Sequence, residues 1–147
     1  MSFHDCARML DNKRLGKQRV ECLQILKALR GETKGWRNHP ATLMWYGHGA
    51  ALTVYMNCCI SEWCRRGFKN KMEQLPQPAS MPEEYWPAWI LDWEVRQKVI
   101  DSHRSNLLRK DPVFYGQYGW NVPPDLPYFW PVKKEDVEVK RILELCP

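Results

Sequence analysis

The sequence predicts an all-α fold, and three observations predict it. Apolar residues recur at intervals of three and four over long stretches, the mark of helices with one buried face. Glycine, proline and Asp-Pro punctuation falls chiefly between those stretches. No segment alternates polar and apolar residues as a half-buried strand does. The expected architecture is a compact bundle of three main helices, a Pro- and aromatic-rich C-terminal arm and a short final helix, in one domain spanning 1–147 without internal repeats.

The first helix is expected from Lys13 to Leu29, with Leu15, Cys22, Leu23, Leu26 and Leu29 at helical spacing and Gly31 closing it. Residues 31–38 form a polar, glycine-bearing connection. Asn38 is placed to cap a second helix with Pro40 in its first turn. That helix is expected over Ala41–Arg66, rich in Leu, Met, Trp, Val, Tyr, Cys and Ile, with Gly47 and Gly49 weakening its start and Gly67 ending it. Pro76, Pro78, Pro82 and Pro87 exclude regular helix from the linker 75–87. A third helix is expected over Trp89–Arg109, stopped by Asp111-Pro112. Residues 112–131 then alternate rings with Gly and Pro as an irregular arm. A charged helix, Lys134–Leu145, completes the list.

Composition narrows the function. The 147 residues are 44% hydrophobic, enough for one packed core. No stretch approaches the ~18–20 apolar residues that span a bilayer, and Met1-Ser2-Phe3-His4-Asp5 lacks the pattern of a secretory signal. A cytoplasmic protein is expected, with no membrane partner and a monomeric state. Lys plus Arg number 22 against 17 Asp plus Glu, a net +5 that suits a polyanionic partner. The chain also carries 8 Trp, 6 Tyr and 4 Phe. The six cysteines, Cys6, Cys22, Cys58, Cys59, Cys64 and Cys146, form no Cys-x-x-Cys pair, and no His pair has zinc-finger spacing. Reduced structural thiols are expected, with no metal and no cofactor.

Candidate chemistry gathers on a few segments. Arg14, Lys17, Gln18, Glu21 and Gln24 share one face of the first helix. That pattern fits either a solvated face with a Lys17–Glu21 pair or a carboxylate held among cations at a polyanion surface. Asn38 and His39 open the second helix, where free backbone N–H groups suit a phosphate. His103-Arg104, flanked by Ser102 and Ser105, offers similar chemistry on the third. Trp36, Trp45, Tyr115 and Trp130 are large rings that could serve the core or stack on bases. Gly-x-Ser-x-Gly, a phosphate loop and His-Glu-x-x-His are all absent. One nucleophile needs no motif: an α-amine, which at Ser2 would follow removal of Met1.

These residues carry a resemblance. Arg14-Leu15 with Glu21, then Asn38-His39, then Glu62-Trp63-Cys64-Arg65-Arg66-Gly67-Phe68, then Arg109–Tyr115 keep the order of the pyrimidine-dimer DNA glycosylase family, the phage endonuclease V type. The resemblance covers roughly residues 7–120, and the helix end at Glu62–Phe68 is its most specific segment. Residues 14–21, 38–40, 102–105 and 123–131 also match segments of uncharacterised relatives.

The resemblance implies an all-α base-excision glycosylase acting on double-stranded DNA, with abasic-site lyase activity. In such enzymes the N-terminal amine attacks the sugar C1′ to form a Schiff base, a helix glutamate is essential, and β-elimination nicks the strand. By position it implies catalytic roles for Ser2 and Glu21. It implies DNA contacts by Arg14, Lys17, Gln18, Arg19, Asn38, His39, His103, Arg104 and Tyr115. Val20 stands where the phage enzymes have arginine, and the arm beyond residue 120 has no phage counterpart. Two alternatives stay open: a non-catalytic nucleic-acid-binding domain of the same fold, and a glycosylase for a phage-specific modified base.

Overall fold

A computed structural model of the chain describes residues 2–145; Cys146 and Met1 lie outside them. Among the described residues the chain is helical, with no strand, in agreement with the all-α reading. The helices are α1 (Phe3–Met9), α2 (Asn12–Leu29), α3 (Pro40–Leu43), α4 (Gly49–Arg65), α5 (Ala88–Leu91), α6 (Trp93–Lys110), α7 (Pro112–Gly116) and α8 (Lys134–Leu145). None is long and apolar enough to cross a membrane. The described cysteines are free thiols.

The core is the seam between α2 and α4, the most extensive helix contact in the fold. Leu15, Cys22, Ile25 and Leu26 on α2 meet Leu52, Met56, Cys59 and Ile60 on α4, all buried. Their three- and four-residue spacing puts each set on one stripe, and each large aliphatic side chain so buried contributes about 1.5–3 kcal/mol. Gly16 permits the close approach: a Cβ there would lie 2.9 Å from the Trp63 ring. α1 packs across α4, bringing Phe3 against Trp45, Tyr55 and Trp86.

Four elements depart from the sequence expectation, each for a local reason. α1 is a helix that the sequence pattern does not predict, because its seven residues are too few to show a period. A capping box starts it: the Asp5 N–H donates to Ser2 Oγ (3.2 Å), and the Asp5 carboxylate accepts the Ser2 N–H (3.0 Å). The single helix expected over 41–66 is two, α3 and α4, because Gly47 adopts a left-handed φ of +77°. The Met44 carbonyl at this break accepts the Trp89 indole N–H at 2.8 Å. The helix expected over 89–109 divides at Asp92, whose carboxylate caps α6 by accepting the N–H groups of Glu94 (3.0 Å) and Val95 (3.2 Å). Inside the arm, Asp111 caps the short α7 through the Phe114 N–H (3.0 Å), with Pro112 in its first turn.

One clasp ties α1, α2 and α4 together. Glu62 is 5% exposed and accepts from Arg65 Nη2 (2.6 Å), Arg65 Nε (2.7 Å) and Arg66 Nε (3.0 Å). The Arg65 hydrogen bonds, with those from Arg66, overcome burial and hold the Glu62 carboxyl at about 2. Arg66 then reaches the Asn12 side chain (3.0 Å) and the Arg8 carbonyl (3.0 Å). The most distinctive motif of the sequence is therefore a structural joint.

Candidate active site

Lys17 is exposed and Glu21 half-buried at the edge of the buried stripe of α2, with Lys17 Nζ 3.5 Å from Glu21 Oε1. Arg14 anchors the start of the same face, its guanidinium 3.3 Å from the Asp11 carboxylate. Burial would raise the Asp11 carboxyl, but the Tyr115 hydroxyl and Arg14 outweigh it and leave the group below its ordinary value. Gln18 is half-buried beside them. Arg19 points elsewhere, because it stands about 200° around the helix from Glu21. Its guanidinium lies 4.6 Å from the Trp63 ring centroid and donates to Asn70 Oδ1 at 2.7 Å.

His39 and His103 are held in opposite tautomers by backbone groups. His39 caps α3, its Nδ1 accepting the Ala41 N–H at 3.1 Å, so its proton sits on Nε2. His103 Nδ1 is 2.8 Å from the Val99 carbonyl, which can only accept, so that nitrogen carries the proton and Nε2 keeps a lone pair. Burial pushes the His103 pKa down from its ordinary value; the Val99 bond opposes this and Lys110 adds to it.

The C-terminal arm joins these groups. Trp130 stands edge-to-face with both imidazoles, its ring centroid 6.1 Å from His39 and 6.0 Å from His103. Tyr128 stacks on Trp130 (5.3 Å, 26°) and meets His103 at 5.4 Å. The two rings share one side because alternate residues of an extended chain do, and Pro127 and Pro131 keep the segment extended. Burial raises the Tyr128 phenol above its ordinary value; the charges of Arg109 and Lys17 oppose this and that of Glu21 adds to it. Leu126 N–H donates to Ser105 Oγ (2.9 Å) and Arg109 to the Pro124 carbonyl (3.2 Å), seating the arm on α6. His39 at the start of α3 and His103 on α6 thus meet at one pair of rings.

Other candidates stand apart. Tyr115 is fully buried, with its hydroxyl bonded to the Asp11 carboxylate, so no ring face is open to a base. Trp45 is likewise a core residue. Arg104 lies 5.0 Å from the Trp120 ring, which stacks on Tyr115 and Tyr118. Asn38 Oδ1 accepts from Arg141 of α8 at 3.0 Å. Ser2 is occupied by the α1 capping box, and Asp5 is held below its ordinary value by the Ser2 hydrogen bonds. Tyr128 and Arg109 lie in segments that carry the resemblance, 123–131 and 109–115, but are not among the site residues expected from the sequence. The available signal was the Pro-bracketed Tyr-x-Trp spacing, which marks two rings on one side.

The helical fold presents a carboxylate beside cations on α2, and sequence comparison gives the class of protein. A sequence model of the pyrimidine dimer DNA glycosylase family matches residues 1–75. The chain belongs to the pyrimidine dimer DNA glycosylase family, and at the family level it is a DNA-repair glycosylase with DNA as its partner. No curated protein and no solved structure matches it. The matched residues carry α1 to α4, with Ser2, Arg14, Lys17, Glu21, His39 and the Glu62 clasp. His103 and the arm lie beyond them.

Proposed function

We propose that the protein, acting as a single domain, releases a damaged base from double-stranded DNA and then nicks the abasic strand by β-elimination. The base is a pyrimidine dimer or another damaged or modified base. The setting of Glu21 carries this reading: a carboxylate on the family-matched helix, paired with Lys17 at 3.5 Å, with Arg14 at the start of the same helix. Breaking the C1′–N bond builds positive charge on the sugar, and a fixed carboxylate stabilises that charge. Arg14 and Lys17 supply phosphate contacts, which fix register without reading sequence. The nucleotide must leave the stack, at a cost of a few kcal/mol that damage reduces.

The nucleophile is an amine that attacks C1′, and an α-amine at Ser2 has the right chemistry because its pKa near 8 leaves a neutral fraction at neutral pH. The Ser2 nitrogen lies 3.0 Å from the Asp5 carboxylate, which would favour the ammonium form. Asp5→Asn should therefore speed imine formation.

The test is single-turnover base release from a duplex carrying a cyclobutane pyrimidine dimer, with borohydride trapping in parallel. In Glu21→Gln, DNA binding should persist while base release falls by a factor on the order of 10². A wild-type rate in that variant would reduce Glu21 to a surface residue. Peptide mapping should place the trapped sugar on Ser2; a sugar on Lys17 would overturn the amine assignment. Base release without any adduct would mean a monofunctional glycosylase.

A further inference from the structure

We propose that the outward face of α8 docks on a second copy of this chain, into the hollow that lies beside α8 on that copy. The orientation of α8 is the reverse of an ordinary surface helix. Its polar side faces the body. Arg141 donates to Asn38 Oδ1 (3.0 Å) and to the Arg37 carbonyl (3.3 Å), with its guanidinium 5.3 Å from the Tyr46 ring centroid. The Tyr46 hydroxyl donates to Glu144 at 2.7 Å. Val137 is buried, but the other apolar side chains face water: Val139, Ile142, Leu143 and Leu145 are 56%, 61%, 65% and 82% exposed. Val139, Ile142 and Leu143 recur at intervals of three and four, so they form one stripe. Single apolar residues on a surface are ordinary, whereas a contiguous stripe marks a contact site.

The complement of that stripe lies on the same chain. An open cavity of about 460 Å³ adjoins α8 at Glu144, with Leu26, Leu29, Ala50 and Thr53 in its lining and Arg30 beside them. Charge matches as well. The first turn of the outward face carries the exposed acids Glu135 and Asp136. The cations of α8 lie elsewhere: Arg141 turns inward, Lys134 stands 3.8 Å from Glu138, and Lys140 sits at the edge of the stripe. The end of α2 and the connection after it, which border the cavity at Arg30, expose Lys27, Arg30, Lys34 and Arg37 against one acid, Glu32. A ridge and a hollow side by side suit a two-fold pair, because each ridge then meets the other copy's hollow and every contact is made twice. Duplex DNA is a poor occupant, since acids and aliphatic side chains offer its phosphates nothing. The dimer replaces the monomeric state expected from the sequence, and it stands apart from the enzymatic reading of Glu21.

Sedimentation of the full chain without DNA, at concentrations up to about 100 μM, should show a reversible dimer. Ile142→Glu and Leu143→Glu should each raise its dissociation constant by roughly tenfold or more. Both positions are exposed, so helical circular dichroism should match wild type. Arg30→Glu should weaken the dimer by a similar factor, and adding Glu135→Lys and Asp136→Lys to it should restore part of the loss. A wild type that stays monomeric at that concentration overturns the proposal; if it then sediments with phosphatidylcholine vesicles, the face is a membrane contact. A dimer that survives both glutamate substitutions also overturns it, because the interface would lie elsewhere. A dimer lost in those variants but indifferent to Arg30→Glu would be a pairing of α8 with α8, and would overturn the hollow as the complement.

Discussion

Replacing Glu62 by Gln removes one charge from the joint of α1, α2 and α4 while keeping its shape. The Glu62 carboxyl moves from an ordinary 4.5 to about 2, which at about 1.4 kcal/mol per pH unit is roughly 3 kcal/mol of interaction. Arg65 is 64% exposed, so solvent screens part of this, and the expected loss of stability is about 2 kcal/mol. For a domain of this size that is a fall in Tm of roughly 4–8 °C. The sign with pH follows from the lowered folded value. The contribution is fully present above about 4.5 and is lost as pH falls through about 2. Urea denaturation of wild type and Glu62→Gln at neutral pH and at successively lower pH should show the gap closing as acid is added. A gap below about 0.5 kcal/mol at neutral pH, or one unchanged in acid, would refute the joint.

Three further outcomes are expected. Gly16→Ala should destabilise by about 1–3 kcal/mol in the same denaturation assay, because the new methyl meets the Trp63 ring at 2.9 Å. Tyr115→Phe should cost about 1–2 kcal/mol by freeing the Asp11 carboxylate, with duplex DNA affinity unchanged; weaker DNA binding at intact stability would return Tyr115 to the interface. Binding to duplex DNA should weaken with salt, and Lys17→Ala should reduce the slope of log K against log salt by about one. A slope near zero for wild type would remove duplex DNA as the partner.

Periodicity made α2 legible: the Leu15, Cys22, Leu26 stripe faces the core, and Lys17 and Glu21, four residues apart, pair at its edge. The break before α4 was half visible in Gly47 and Gly49, whereas the break at Asp92 was not, because an N-cap carboxylate reads as an ordinary polar residue within a helical pattern. The Glu62–Phe68 segment was plain as a motif. Its work as a joint became visible only when Arg66 reached the Arg8 carbonyl, 58 residues away in the chain.

By itself the sequence determined the all-helical class, the helix presenting Glu21 and the ring-rich character of the arm. Those properties depend on neighbours three or four residues apart, or on composition, and such relations are written along the chain. Only the tertiary structure decided that Trp130 stands between His39 and His103, that Tyr128 meets His103, and that Tyr115 is buried. Those contacts join residues far apart in sequence, and side-chain packing selects them from many pairings that the local pattern allows equally. The same packing set the rings of the arm against His39 and His103.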